Sequence, residues 1–212
     1  MEMPTRFQAG KIEARWYEHW DSKGYFHVEA DDVKDPFTIM IPPPNVTGAL
    51  HMGHALNNTL QDIVARFQRL QGKDVLWLPG TDHAGIATQA VVEKKLYREQ
   101  GIKRKEMGRE KFVGEVWKWK EEYGNRILGQ LRTLGCSCDW KRGRFTMDEG
   151  LSRAVRRSFV ALWEKELIYR GERLINWDCK LQTAVSDDEI EQIELKGHLW
   201  YIRYHVVGQE GR

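Results

Sequence analysis

The sequence has no long run of apolar residues, and its 212 residues include only three cysteines. Without an apolar stretch of about 20 residues, no membrane-spanning helix is expected, and no signal peptide is recognisable. Three sparse cysteines, an odd number, do not provide the disulfide framework of a small secreted domain. These absences predict a reduced, cytoplasmic setting and no membrane partner.

Neither sign of charge dominates, since the 33 Lys and Arg residues are nearly balanced in number by 31 Asp and Glu residues. A strongly basic balance, which would indicate a nucleic-acid-binding protein, is therefore absent, and only local patches could bind a polyanion. A chain of 212 residues is long enough for one domain of ordinary size with a real core. Its nine tryptophans are interpreted mainly as core residues.

The segment from Thr38 to Leu56 reads TIMIPPPNVTGALHMGHAL and is the centre of the sequence. Thr38 and three apolar residues lead to three prolines, which stop any strand, and a Gly-containing turn then leads to His-x-Gly-His. The residues after it recur at the spacing of an amphipathic helix: Leu56, Leu60, Ile63, Val64, Phe67 and Leu70. Gly72 is placed to end this helix.

His51, Gly53 and His54 are therefore expected at the N-terminus of a helix. Free backbone N–H groups and the helix dipole favour an anion there, above all a phosphate. Two imidazoles could donate hydrogen bonds to a phosphate whose charge grows in a transition state. Paired histidines near a helix start are also commonly solvent-facing caps or adventitious metal ligands, and the motif alone does not decide between these interpretations.

Two strands are predicted beside this helix, over Phe37–Ile41 and Asp74–Leu78. The order strand, helix, strand is typical of a crossover connection in a parallel sheet. Open α/β folds bind ligands at the carboxyl edge of such a sheet. The sequence thus predicts a ligand crevice that begins where these two strands end.

A second polar segment, WLPGTDHAG from Trp77 to Gly85, leaves the second strand at that edge. The carboxylate of Asp82 is suited to an ammonium group. The alternative is that Asp82 is the N-cap of a helix over 85–97. For His83, a structural role is as well supported as a functional one.

Both segments resemble the signature of valyl-tRNA synthetases, which are class I aminoacyl-tRNA synthetases. The resemblance rests on PPPNVTG (42–48), LHMGHAL (50–56) and the WLPGTDHAG loop. It implies that His51, Gly53 and His54 contact ATP, with both histidines catalytic. It also implies that Asp82 and Asn45 hold the α-amino group of valine and that Pro42 and Pro43 form part of the wall against its side chain. The substrates would be valine, ATP with Mg²⁺, and tRNA(Val).

The fold implied is α/β: the N-terminal half of a Rossmann-like parallel-sheet nucleotide-binding domain with helical additions, truncated where the editing domain is inserted. The expected divisions are an N-terminal helical extension (1–36), the first half of the catalytic domain (37–172) and the start of a connective segment (173–212). The Lys-Met-Ser-Lys-Ser loop, the threonine-rich editing loop and the anticodon-binding helices are not found. The chain is therefore expected to be a fragment, a truncated gene product or a deliberately cut piece.

Two hypotheses remain for such a chain. It is either a partial catalyst that activates valine weakly or a non-catalytic, synthetase-derived binding module. The intact enzyme is expected to be a monomer, whereas a shortened chain has the possibility of self-association through an unpaired sheet edge.

Further elements are predicted outside the two motifs. Helices are expected over Lys11–Gly24, Arg104–Leu134 and Glu149–Leu167, with Asp148 capping the last. The inward face of the last helix is expected to carry Leu151, Val155, Phe159, Leu162 and Trp163. Strands are expected over Arg173–Trp177 and His198–Val207, the latter as half of a β-ribbon.

The cysteines do not have the spacing of a structural zinc site. Cys136 and Cys138 are one residue apart without a second nearby pair, and they are predicted to be buried thiols. Cys179 stands alone where some members of the resembled family carry a zinc-binding pair. No zinc or other protein-held metal is predicted.

Overall fold

A computed structural model describes residues 7–29 and 34–204. The chain divides into two compact units, Met1–Ala161 and Leu162–Arg212. Within the described part, no helix combines the length and apolarity that crossing a membrane requires.

Six α-helices and six strands are formed by the described residues. The helices are α1 Ala9–Ser22, α2 Met52–Leu70, α3 Gly85–Gln100, α4 Arg104–Met107, α5 Arg109–Thr133 and α6 Glu149–Glu164. The strands are β1 Pro36–Met40, β2 Asp74–Leu78, β3 Gly80–Thr81, β4 Arg144–Phe145, β5 Asn176–Asp178 and β6 Thr183–Val185.

The predicted strand–helix–strand unit is confirmed. β1 and β2 pair in parallel with Pro36 opposite Asp74 and Met40 opposite Leu78, and α2 connects them. The ladder extends one step further, because Ile41 donates its N–H to the carbonyl of Leu78 at 3.0 Å. Both strands therefore end at the same edge, from which the proline-rich segment and the loop around Asp82 depart.

The main core lies beneath this edge. Trp77 of β2 and Ile127 of α5 are fully buried there, and Cys136 and Cys138 lie in the same cluster. The prediction of buried thiols is confirmed. Burial raises the pKa of the Cys136 thiol to about 12 and also raises the pKa of Cys138, so both are neutral at ordinary pH.

α2 has the predicted amphipathic spacing, but its polar side faces the core. Gln61 accepts a hydrogen bond from the indole N–H of Trp77 at 3.1 Å. Asp62 accepts from the backbone N–H of Ser137 at 2.9 Å, and Arg69 donates to the Ser137 carbonyl at 2.8 Å. The six apolar residues of the predicted stripe are all exposed: Leu56, Leu60, Ile63, Val64, Phe67 and Leu70. None of the elements in the described ranges covers them.

The long helix predicted over Arg104–Leu134 is divided into α4 and α5 at Gly108. Gly108 has φ of 81°, a left-handed conformation that interrupts an α-helix at little cost only for glycine. α5 packs inward through four buried apolar side chains, Phe112, Trp119, Ile127 and Leu131. α1 also matches its prediction and contacts the core through Tyr17, whose hydroxyl donates to the Cys136 carbonyl at 2.6 Å.

α6 begins where predicted, since the Asp148 carboxylate accepts the N–H of Leu151 at 2.8 Å. The prediction of an inward apolar face is wrong, however: α6 has no buried residue, and Val155, Phe159, Leu162 and Trp163 are exposed. The helical periodicity specified the stripe, whereas burial also needs an element to cover it.

The described part of the unit Leu162–Arg212, residues 162–204, contains one antiparallel hairpin, in which Asn176 pairs with Val185 and Asp178 with Thr183. The strand predicted over Arg173–Trp177 begins only at Asn176. The strand predicted over His198–Val207 is not formed in residues 198–204, and its last three residues lie outside the described part. A strand needs a partner for its backbone groups, and the described chain offers none there.

Candidate active site

The two predicted ligand-binding segments meet directly. Asn45 forms a parallel β-bridge with Asp82. The Val46 N–H donates to the Asp82 carbonyl at 3.0 Å, and the Asp82 N–H donates to the Pro44 carbonyl at 2.9 Å. The three prolines end the regular strand, yet the chain stays beside its neighbour for one more pair. Asn45 and Asp82, which the resemblance assigns to the same α-amino group, are thereby held side by side.

α5 fixes the segment that follows. The indole N–H of Trp119 donates to the Val46 carbonyl at 2.7 Å, and the Leu50 N–H donates to the side-chain oxygen of Gln130 at 2.9 Å. Both bonds connect the loop to residues more than 70 positions away. The entry angle of α2 is therefore set by a helix that the sequence motifs do not include.

His51 and His54 are helix caps, as the alternative interpretation had it. His51 is the N-cap of α2, and its Nδ1 accepts the N–H of Gly53 at 3.1 Å. In return, Nδ1 of His54 accepts the N–H of His51 at 3.3 Å. The two ring centroids lie 3.9 Å apart. This reciprocal arrangement is a capping box made of two histidines.

The caps also fix the tautomer of both rings. A nitrogen that accepts a hydrogen bond carries no proton, so Nδ1 is deprotonated in each histidine and a neutral ring has its proton on Nε2. Burial, and then the neighbouring charge of His51, lower the pKa of His54 below its usual 6.5. Two Nε2–H donors thus remain beside the positive end of the α2 dipole, where they suit a phosphate oxygen.

A larger residue in place of Gly53 would crowd the cap. A Cβ at this position would lie 2.9 Å from Cε1 of His51, closer than carbon atoms approach in proteins. The structure shows that the His51 ring is packed over this position.

One cavity of about 420 Å³ brings most of the predicted residues together. Its lining includes Pro42, Pro43, Asn45, His51, Gly53 and His54. Asp82 is the one predicted site residue that does not line this cavity, although its backbone adjoins Asn45. No cluster of three His, Cys, Asp or Glu side chains suited to a metal ion occurs in the described ranges.

Asn58 also lines this cavity and was missed by the sequence analysis. It is 4% exposed, and its side-chain N–H donates to the His54 carbonyl at 2.7 Å. Its Oδ1 has no hydrogen-bond partner within the described structure. In the sequence, Asn58 is marked only by being a polar residue four positions after His54, one helical turn further on.

Thr146 is the second residue that the sequence did not reveal. The pairing of β3 with β4 places it beside Asp82, 64 positions earlier in the chain. Its hydroxyl lies 2.9 Å from Oδ1 of Asp82, 2.9 Å from the backbone nitrogen of His83 and 2.7 Å from Nδ1 of His83. No local motif marks Thr146, because the contact depends on strand pairing.

The bonding capacity of this hydroxyl is completely used. It has one proton and two lone pairs. The Asp82 carboxylate can only accept, so the proton points to Oδ1, and the two lone pairs receive N–H and Nδ1–H from His83. His83 is therefore protonated on Nδ1, the opposite of His51 and His54. The second carboxylate oxygen of Asp82 accepts the Ala84 N–H at 3.2 Å. No side chain caps α3, so Asp82 is not the N-cap of that helix, which was the alternative interpretation of this residue.

The sequence matches the family model of class I tRNA synthetases (I, L, M and V) over residues 15–210. It is 59% identical over 211 residues to a valine–tRNA ligase of Geobacter sulfurreducens, covering 100% of this chain and 24% of that protein. It is 60% identical over 205 residues to a valine–tRNA ligase of Bradyrhizobium diazoefficiens, covering 96% of this chain and 21% of that protein. The chain thus spans less than a quarter of the length of these curated relatives.

The fold is also similar to that of a solved structure, the ternary complex of Agrobacterium radiobacter K84 agnB2 LeuRS, tRNA and LeuAMS. The TM-score is 0.72 at 23% sequence identity, covering 87% of this chain and 22% of that chain. The predicted α/β, Rossmann-like fold class is confirmed by this likeness and by the family match.

Proposed function

Because the chain belongs to the family of class I tRNA synthetases (I, L, M and V), we propose that it supplies the amino-acid-activating site of a valine–tRNA ligase. The reaction is the ATP-dependent activation of valine and its ligation to tRNA(Val). The observation that carries the proposal is the double-histidine cap of α2, which leaves two Nε2–H donors among the residues lining the cavity with Pro42, Pro43 and Asn45.

In this reaction, the carboxylate of valine attacks the α-phosphate of ATP and pyrophosphate leaves. Such a displacement depends on alignment and on stabilising the charge of the phosphate oxygens. His51, His54 and the N-terminus of α2 supply hydrogen-bond donors for that charge, and neither histidine acts as a base. The lowered pKa of His54 keeps the ring neutral at physiological pH, and the neutral ring still donates through Nε2–H. Mg²⁺ enters with ATP as part of the substrate.

The valine ammonium is held by Asp82 and Asn45, and Pro42 and Pro43 bound the side-chain pocket. The backbone pairing of Asn45 with Asp82 supports this assignment, because it fixes the spacing of the two polar side chains. We add Thr146 as a positioning residue, since its hydroxyl holds one oxygen of the Asp82 carboxylate.

The remaining assignments belong to the same proposal. Residues 1–36 are a helical extension, 37–172 are the first half of the catalytic domain, and 173–212 begin the connective segment. The protein works in the cytoplasm with tRNA(Val) as acceptor and without a zinc ion, and the intact enzyme is a monomer. The alternative, a non-catalytic interaction module, is favoured by the exposed apolar stripes of α2 and α6.

The test is valine-dependent ATP–pyrophosphate exchange in the presence of Mg²⁺. The wild-type chain is compared with His54→Ala and Asp82→Ala, and threonine and isoleucine serve as competing substrates. The matched controls are His198→Ala and Asp188→Ala, which remove the same side chains at exposed positions of the other unit.

Exchange that requires valine, is lost in both site variants and persists in both controls is the expected result. A folded chain without exchange, or exchange that survives both site variants, would refute the assignment of activation to these residues in this chain. A stable dimer that binds no ATP would support the interaction module instead.

A further inference from the structure

Gln61 of α2 connects the cavity of the candidate site to the core. Its side-chain oxygen accepts the indole N–H of Trp77 at 3.1 Å, and its side-chain nitrogen donates to Oδ1 of Asn57. Trp77 is fully buried, whereas Asn57 is exposed and lines the cavity of about 420 Å³. These three side chains form a hydrogen-bonded relay, Trp77–Gln61–Asn57, that runs from the core to the site.

The direction of this relay is fixed by the indole. An indole N–H can only donate, so the atom of Gln61 that faces it must be the oxygen. The nitrogen of the same amide then faces Asn57 and needs an acceptor, so Asn57 must turn its own oxygen towards Gln61. The opposite orientation of either amide would set donor against donor. A buried tryptophan therefore determines the orientation of an exposed asparagine.

The group of Asn57 that remains available is its amino group, which carries two N–H donors. It has no hydrogen-bond partner within the part of the chain that the structure describes. Asn57 follows His54 by three residues, a spacing that makes the two side chains neighbours on one helix face. Both line the same cavity, as does His51. The relay thus adds N–H donors to the two Nε2–H groups of the histidines.

A fixed amide differs from a free one in what it offers to a ligand. The two ends of an asparagine amide have nearly the same shape, but one end only accepts hydrogen bonds and the other only donates them. An amide oxygen turned towards a phosphate or hydroxyl oxygen would present a like partial charge. Holding the amino end in place before the ligand arrives avoids that orientation and reduces the entropy lost on binding.

We propose that Gln61 is a positioning residue, which together with Trp77 holds the Asn57 amide so that its N–H groups serve the oxygen acceptors of the ligand in this cavity. Neither Gln61 nor Trp77 lines the cavity, so both act through Asn57. The inference rests on the proposed function for the identity of the ligand, which is ATP with its phosphate and ribose oxygens.

Gln61→Glu tests the relay because it reverses one end of it. One carboxylate oxygen still accepts the Trp77 N–H, so the core keeps its hydrogen bond. The other oxygen can only accept, so Asn57 must turn its amino group towards it and its oxygen towards the cavity. The matched control for the added charge is Thr59→Glu, at an exposed position of α2 about 200° around the helix from Asn57.

Two NMR measurements on the nitrogen-15-labelled chain follow the relay and the ligand separately. In the free chain, the side-chain N–H resonances of Asn57 should move downfield in Gln61→Glu, because they then donate to a carboxylate. The indole N–H resonance of Trp77 should remain protected from exchange with water. Titration with ATP and Mg²⁺ in the absence of valine then gives the dissociation constant, and circular dichroism and urea unfolding establish that each variant is folded.

Gln61→Glu and Asn57→Ala are each expected to weaken ATP binding at least about tenfold, the effect of losing one hydrogen bond to a charged group. Thr59→Glu should stay within about twofold of wild type. Adding Gln61→Glu to Asn57→Ala should weaken binding by no more than a further factor of about two, because Gln61 then has no amide to position. A purely structural or electrostatic effect of Gln61→Glu would be the same in both backgrounds.

Four results would overturn the inference: Asn57 resonances that do not respond to Gln61→Glu, wild-type affinity for ATP in either Gln61→Glu or Asn57→Ala, an equal loss in Thr59→Glu, or the same loss from Gln61→Glu in the Asn57→Ala background. These four results leave the proposed function intact. A folded wild type that binds no ATP would refute the inference and the proposed function together, so the two failures are distinguished.

Discussion

Replacing Thr146 with valine removes one hydroxyl at nearly constant shape and tests the hydrogen-bond cluster around Asp82. In the wild type this hydroxyl donates to Asp82 and accepts twice from His83. Thr146→Val leaves one Asp82 oxygen and two His83 N–H groups without their protein partner. Thr146→Ser keeps the hydroxyl and is the matched control.

The expected loss follows from the exposure of the cluster. A hydrogen bond to a charged group contributes about 1.5–3 kcal/mol, and an orphaned buried donor costs about 1–3 kcal/mol. The side chains of Asp82 and His83 are 30% and 44% exposed, so water replaces part of what is lost. The low end of each range applies, and we expect the free energy of unfolding to fall by about 2 kcal/mol. Thr146→Ser should lose less than half of that, mainly for one methyl group.

Two measurements separate positioning from general stability. Urea unfolding gives the free energy of each variant, and an NMR titration with valine, followed at the Asp82 and Ala84 amides, gives the dissociation constant. In Thr146→Val the dissociation constant for valine should rise about tenfold, equivalent to about 1.4 kcal/mol, whereas that for ATP stays unchanged. The serine variant should restore the affinity for valine.

The reasoning is refuted if Thr146→Val unfolds within about 0.5 kcal/mol of wild type, the usual range for a neutral surface change. A folded Thr146→Val with wild-type affinity for valine would refute positioning alone and leave the stabilising role intact. Because unfolding requires no ligand, the first result is informative whether or not this chain binds valine.

Three further predictions concern other parts of the molecule. Folding lowers the pKa of His54, so the neutral ring's contribution to stability is complete above pH 6.5 and is lost as the pH falls from 6.5 towards the folded pKa. In urea unfolding at pH 7.5 and 5.5, the free energy of unfolding should therefore depend less on pH in His54→Gln than in the wild type. The control His19→Gln should keep the pH dependence of the wild type. Asp139 has a fully buried side chain that accepts from His27 at 2.9 Å and from Arg142 at 3.2 Å. Asp139→Asn should therefore lower the free energy of unfolding by about 3–5 kcal/mol. An effect no larger than that of Asp188→Asn, at an exposed position, would contradict a buried ionic role for Asp139. The exposed apolar stripe of α2 should cause self-association that sedimentation velocity detects. Phe67→Glu, within the stripe, should shift the chain towards monomer more than Thr59→Glu does. A wild-type chain that stays monomeric at high concentration would disprove this prediction.

The two motifs were sufficient to predict the central β–α–β unit and the residues that gather at its edge. Prolines 42–44 must end a strand, and His-x-Gly-His must precede the periodic run from Leu56, so both loops depart from one edge of a parallel pair. These are local constraints on backbone geometry, and the strand bounds agree within one residue. The same local logic placed the cap at Asp148, whereas the helix expected over Arg104–Leu134 is interrupted at Gly108.

Burial was predicted less well than secondary structure. The spacing of apolar residues on α2 and α6 specified a stripe, but in both helices that stripe is exposed and the core side of α2 is polar. Periodicity reports which residues share a face, and only the presence of a packing partner decides whether that face is buried. The absent strand over 198–204 has the same origin, because alternation does not supply the neighbouring strand.

By itself, the sequence determined the elements of the β1–α2–β2 unit, their order and the identity of the residues at its edge, because these depend on backbone preferences and on spacings of a few positions. Only the tertiary structure decided the chemical state of those residues. The capping box fixes Nε2–H on His51 and His54, whereas a threonine 64 positions from Asp82 fixes Nδ1–H on His83 and orients the carboxylate. A proton's position on an imidazole is set by its hydrogen-bond partners, and those partners become neighbours only when strands pair and helices pack.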